Sequence, residues 1–345
     1  MKKLSFIAVF LLLNTFNLNA QNGFENFFLA ENKDSNLLMN AYFSPKINGY
    51  NSALNSNWYH TAKSHKPFGF DLTVNFNSVI YPSNKESFNL ENLVSVNLPT
   101  GNITGASAIG ASTSNSTTIN RQINTEESTA VLNLPAGEST QLFTNSNLPI
   151  IQLTVGISAN FDVILRALPT VKPNNQNEAI NVLGFGIKKE ISNLFPSLKD
   201  KPIHLSLLAG YSVMNVSYGI TDSTLPEGNF SGISVNNGLT TFNSKAFTFQ
   251  ALASYHWTHV NLFGGIAYNT AKTTYQTNGT FLGKYITDNS TINQPLDTSN
   301  ALNINSNGIS ANLGARLNLR YFKIFTSYTL QEFSVFNIGA AISIK

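Results

Sequence analysis

The sequence predicts an all-β fold: a transmembrane, antiparallel, up-and-down β-barrel of about 10–14 strands, with an N-terminal helical segment as plug or periplasmic cap. Three observations predict it. First, the C-terminal stretch alternates in twos. Ala311, Leu313, Ala315, Leu317 and Leu319, then Phe322, Ile324, Tyr328 and Leu330, then Phe336, Ile338, Ala340, Ile342 and Ile344 stand against polar or small neighbours. Strand side chains point alternately to opposite faces, so each run has one apolar and one wet face. Second, the chain opens with the pattern of an export signal, and no segment supplies the roughly 20 apolar residues of a spanning helix. Third, the long polar stretches fall at one end of the strands and the tight turns at the other, the asymmetry of bacterial barrels.

Residues 1–20 read as a signal peptide. Lys2 and Lys3 form its basic start, residues 4–13 its apolar core, and Ala20 the small residue before an expected cleavage at Gln21. Cysteine is absent, which excludes disulfides, thiolate catalysis, cysteine-ligated zinc and a lipidated N-terminal cysteine. Without Lys2 and Lys3, 19 basic residues face 18 acidic ones, a net of +1. That balance gives no electrostatic case for nucleic acid. Charged residues make up 11% of the chain, well below the roughly 25% of ordinary soluble domains. Asn, Ser and Thr take the polar role instead, as wet loops and a neutral lumen wall require. A secreted all-β protein is the alternative.

Residues 21–67 form the N-terminal helical or plug segment. Phe24, Phe27, Phe28, Leu37, Leu38, Met39 and Phe43 predict a helix over 22–43, stopped by Pro45. The barrel follows over 68–345. Its first strand is 68–81, and 84–148 reads as one large loop, with at most a small hairpin, folding over or into the mouth. Strands at 151–157, 161–168 and 180–189 precede a short amphipathic helix at 189–198. Strands at 202–220, 246–257 and 260–276 lead to the terminal three. The count is ten, or twelve if 84–148 hides a barrel hairpin. Turns at 158–160, 258–259 and 320–322 then lie in the periplasm, and loops 83–149, 221–244 and 279–306 outside. Phe161, Tyr255, Trp257, Tyr321 and Phe322 gather at the turns as an interfacial girdle.

The period places Asp71, Asp162, Arg166, Lys188, His204, His256, Arg316, Arg320 and Lys323 on the inward face, with Phe263 and Phe325 beside them. On the lipid face a basic residue costs about 2–4 kcal/mol at midplane, which argues for the lumen. These residues either rigidify the interior through ion pairs and hydrogen bonds or line a ligand path. Ten strands leave too narrow a lumen for an open porin-like pore. Trp58, Tyr59, His60, Lys63 and His65 are candidates for anchoring the plug to the periplasmic rim. Their histidines and lysines suit an anion or a metal, but no carboxylate cluster completes a metal site, so none is assigned. No cofactor is implied. No nucleophile elbow, Walker loop or dinucleotide fingerprint occurs in a supporting context, so no catalytic residue is assigned and a non-enzyme is expected.

The runs Leu148-Pro149-Ile150-Ile151-Gln152-Leu153, Gly184-Phe185-Gly186-Ile187-Lys188-Lys189, Trp58-Tyr59-His60-Thr61-Ala62-Lys63 and Gly69-Phe70-Asp71-Leu72-Thr73 resemble a family of Gram-negative outer-membrane barrels. The resemblance implies place and fold, not a substrate. More distantly the chain is similar to the long-chain fatty-acid transporter (FadL) type, which has an N-terminal hatch. It departs from that type in lacking an Asn-Pro-Ala hatch signature, in strand number and in ending on Lys345. The expected function is uptake or transport of small hydrophobic or amphipathic molecules across the outer membrane, with 22–67 as plug. The alternative is a closed structural or surface-interaction barrel whose loops bind partners. A barrel lipase ranks third. Expected partners are outer-membrane lipid, hydrophobic small molecules and the barrel-assembly machinery.

Overall fold

The computed structural model describes residues 23–91, 93–97, 104–112, 115–123, 125–137, 147–172, 178–198, 201–298 and 302–344. The expected signal peptide lies outside them. Ten strands form the barrel: β1 (Phe70–Ile80), β2 (Asn147–Gly156), β3 (Phe161–Val171), β4 (Glu178–Glu190), β5 (Ile203–Ile220), β6 (Gly232–His256), β7 (Val260–Ile286), β8 (Asn303–Leu319), β9 (Phe322–Leu330) and β10 (Ser334–Ile344). Each pairs antiparallel with its chain neighbours, and β1 pairs with β10 from Phe70↔Ile344 to Ile80↔Ser334, so the sheet closes on itself. Closure removes the open edges that a sheet cannot leave in hydrocarbon.

The alternation decides which face is which. Leu313, Leu317, Ile338 and Ile342 are 73%, 41%, 46% and 45% exposed on the outside of the ring, while Asp71, Thr73, Asn75 and Asn77 are buried inside it. A sandwich core would reverse this. At the turn end, exposed Tyr255 and Trp257 meet edge to face at 4.9 Å, with Tyr321 and Phe322 exposed nearby.

The interior is filled by the chain's own N-terminal segment. After a 3-10 stretch at Phe24–Leu29, helix α1 (Asn32–Asn55) touches β1, β5, β6, β7, β8 and β10 around the ring. The helix runs through Pro45 rather than stopping there. A proline inside a helix costs about 3 kcal/mol, but Tyr42, Phe43, Ile47, Tyr50, Ala53 and Leu54 are all buried around it. At the loop end Phe43 packs on Phe242 at 4.9 Å, and Phe242 on Tyr275 at 5.3 Å, forming an aromatic core.

Two segments differ from the sequence reading, and a third holds the small hairpin it allowed. β6 and β7 reach well beyond the expected loop boundaries and form a two-stranded extension above the ring, joined by Thr291–Pro295. The 84–148 region contains a hairpin, Asn115–Ile123 with Glu126–Leu134. Among the described residues its one backbone pairing with β7 is Ile286↔Thr129, beside which Arg121 Nη1 donates to the Tyr285 hydroxyl at 3.0 Å, so it stays outside the ring and the count remains ten. The expected helix at 189–198 is two 3-10 turns, Ser192–Leu194 and Pro196–Leu198. Phe195 between them is extended, as the residue before a proline prefers.

Candidate functional site

α1 ends where Asn57 takes a left-handed φ of 57°, a conformation asparagine tolerates just past a helix. That turn leaves the carbonyls of Leu54, Ser56 and Asn57 without helical partners, and Arg166 of β3 meets them. Its Nη1 donates to Leu54 O at 2.9 Å, and its Nη2 to Asn57 O at 2.8 Å and to Gln152 Oε1 at 3.0 Å. The guanidinium lies 3.8 Å from the Trp58 ring centre. A cation at a helix C-terminus also complements the helix dipole. Trp58 fits because the inward positions beneath it are glycines. A Cβ on Gly186 or Gly210 would come within 2.8 or 2.7 Å of the indole.

Below Trp58 a ladder of polar groups crosses the turn-end half of the lumen. Arg316 Nη1 lies 2.8 Å from His60 Nδ1, and His60 Nε2 lies 3.2 Å from Asp71 Oδ2. The same oxygen is 3.0 Å from His65 Nε2, whose Nδ1 is 3.1 Å from Asp162 Oδ2. Lys188 Nζ closes the series at 2.9 Å from that oxygen and donates to Lys63 O at 3.0 Å. Arg316 can only donate, so His60 Nδ1 must accept, which fixes the neutral tautomer with its proton on Nε2. His65 faces a carboxylate with each nitrogen and suits the imidazolium. Strands β8, β1, β3 and β4 are thus tied together through two plug histidines.

The sequence-predicted lumen residues Asp71, Asp162, Arg166, Lys188, Phe263, Arg316, Lys323 and Phe325 are all buried inside the ring. Phe325 stacks on His60 at 4.8 Å, and Phe263 meets Tyr59 edge on at 5.6 Å. His204 is half-buried at the rim, 2.7 Å from Glu190 Oε1, and Glu190 Oε2 accepts the Ser64 N–H at 2.7 Å. Arg320 is not a lumen residue. It is exposed in the β8–β9 turn with φ 55°, where the period of two breaks, and its guanidinium lies over Tyr321 at 4.8 Å. Among the plug candidates Trp58, Tyr59 and His60 are buried, whereas the Lys63 side chain is exposed.

Below the ladder a cavity of about 560 Å³ opens at the turn end, its wall shared by the plug and by β1, β6, β8, β9 and β10. Sequence reasoning missed Gln152, Glu190, Asn318 and the glycines. Gly184 and Gly186 at successive inward positions carried a signal, because bare wall inside a barrel has to be filled from elsewhere. Among the described residues no group of histidines and carboxylates is placed to hold a metal ion.

A family model, "Family of unknown function (DUF6588)", matches residues 1–344. No curated protein matches the chain. Among solved structures, the attachment invasion locus protein Ail of Yersinia pestis aligns at 9% identity and TM-score 0.25, covering 81% of this chain and 100% of its own. The outer-membrane protease OmpT of Escherichia coli aligns at 9% identity and TM-score 0.31, covering 82% and 98%. A Pseudomonas aeruginosa FadL homologue aligns at 12% identity and TM-score 0.21, covering 81% and 89%.

Proposed function

We propose, for a chain that belongs to the DUF6588 family, an outer-membrane barrel closed by its own N-terminal segment and acting through its loop-end surface, not as an open channel or an enzyme. The observation that carries this reading is the Arg166–Trp58 lock at mid-barrel. The crevice beside Asn55 and Tyr59 measures about 10 Å³, whereas pockets for small ligands run to roughly 300 Å³ and more. Uptake of an amphipathic molecule would first have to remove the plug. The elements left to meet partners are the β6–β7 extension and the 115–134 hairpin. Their exposed residues are largely Asn, Ser and Thr, which favours a neutral, hydrogen-bonding partner over a charged one. The exposed apolar band supports outer-membrane lipid as the surrounding partner, and insertion by the assembly machinery follows from that placement.

Planar-bilayer recording tests the reading. The intact chain should show no steady conductance, and removal of residues 23–67 should open a pore. Wild-type conductance equal to that of the deletion would restore the transport reading.

A further inference from the structure

The turn-end mouth concentrates charge in a way the lock does not require. Lys63, Lys66, Arg316, Arg320 and Lys323 line a single cavity of about 560 Å³, against one carboxylate, Asp71. The whole chain has 21 lysines and arginines with a net charge of only +3. Gathering five of them around one concave space is segregation by position, not a consequence of composition. A low-dielectric concave wall of one sign focuses its field into the space it encloses.

Unpartnered polar atoms of the residues lining that space indicate what fits. Arg316 is 6% exposed, yet its Nε has no hydrogen-bond partner among the described residues. Neither side-chain polar atom of Asn318 has one either. A buried polar atom without a partner costs about 1–3 kcal/mol, so Arg316 Nε and Asn318 Nδ2 favour an acceptor and Asn318 Oδ1 a donor. Asp71 contributes the opposite demand. Its Oδ2 is held by His60 and His65, while its Oδ1 has no partner among the described residues and calls for a donor.

We propose that this mouth binds an oxyanion that also carries hydroxyl groups, the chemistry of a phosphorylated polyol, with the anion against Arg316, Lys323 and the plug lysines and a hydroxyl against Asp71. The ligand enters from the periplasmic side, because the lock at Arg166 closes the path above. A soluble polyol phosphate and the headgroup of phosphatidylglycerol share this chemistry. The inference does not depend on whether the barrel conducts, so its failure and that of the closed-barrel reading are separately visible.

The test is titration calorimetry with glycerol 3-phosphate, using the full chain in non-ionic detergent at low salt. Wild type should bind, and affinity should fall steeply as salt is raised. A Lys63→Gln/Lys66→Gln pair alters only exposed side chains and should weaken binding at least tenfold, as should Lys323→Gln. Lys85→Gln at the loop end should leave binding unchanged. Repeating the titration in nanodiscs separates the two sources. Binding in phosphatidylcholine that is lost in phosphatidylglycerol assigns the site to the lipid headgroup. Binding retained in both assigns it to a soluble ligand. No binding at millimolar concentration in wild type, or equal binding by the double glutamine variant, overturns the proposal.

Discussion

His60 and His65 sit in one plug segment and share Asp71, but their surroundings push them in opposite directions. Burial holds His60 down to about 4, with Arg316 and Lys188 opposing its charge and Asp71 only partly offsetting them. Burial also works against a charged His65, but hydrogen bonds to Asp162 and Asp71 outweigh it and raise the group above its ordinary value. A raised histidine adds stability that is complete below its ordinary value of about 6.5 and fades as pH rises through the shifted value. A lowered histidine is stabilising only while neutral, so its contribution is lost as pH falls from about 6.5 toward 4. Retention of the plug should therefore peak near pH 6.5. Urea unfolding followed by Trp58 fluorescence in a Trp257→Phe background measures it. His65→Gln should flatten the alkaline limb and His60→Gln the acid limb; wild-type profiles in both variants would rule the ladder out as the anchor. Arg166→Gln should cost about 3 kcal/mol, since it strands several buried carbonyls. Arg166→Lys should recover little of it, because an ammonium cannot replace the planar fork.

Elements differ in how clearly the sequence displays them, and the reason is which side each face meets. β8, β9 and β10 were legible because lipid lies on one side and a polar lumen on the other, so hydropathy alternates. Residues 232–245 of β6 were not, because there the outer face meets water and Thr240 and Ser244 point inward. From Tyr42 onward α1 shows no clean apolar stripe because the ring encloses it, which hid its true span and the run through Pro45. Within the site, the charged lumen residues were readable from the cost of placing them in lipid. Arg166's partners were not, since they are backbone carbonyls with no side-chain signature. The Trp58–glycine fit is testable at this scale. Gly210→Leu should overpack the indole and cost about 1–3 kcal/mol. Trp58→Ala should cost stability alone but recover part of the Gly210→Leu loss in the double variant. Additive losses in that cycle would show that the two positions do not meet.

Across the whole molecule the N-terminal segment runs from one end of the barrel to the other. Gly23 lies beside Pro135 of the loop-end hairpin, and Asn32 bonds Asp297 at 3.0 Å near the end of the β6–β7 extension. Further along the chain, the Phe68 N–H bonds Gly156 O at 2.9 Å at the turn end, where β1 begins. The β1–β10 seam must therefore close around a chain that already occupies the lumen, or that chain must thread into a ring already closed. On the orientation we propose, with long loops outside and tight turns in the periplasm, the start of α1 faces the exterior and the plug's exit faces the periplasm. The lack of native cysteine makes this directly measurable. Lys33→Cys, exposed at the start of α1, should react with a membrane-impermeant maleimide on intact cells. Lys66→Cys, exposed at the turn-end mouth, should react only after the outer membrane is permeabilised. The opposite pattern would invert the barrel in the membrane and move the basic mouth to the cell surface. Equal labelling of both sites on intact cells would mean that the plug leaves the path open.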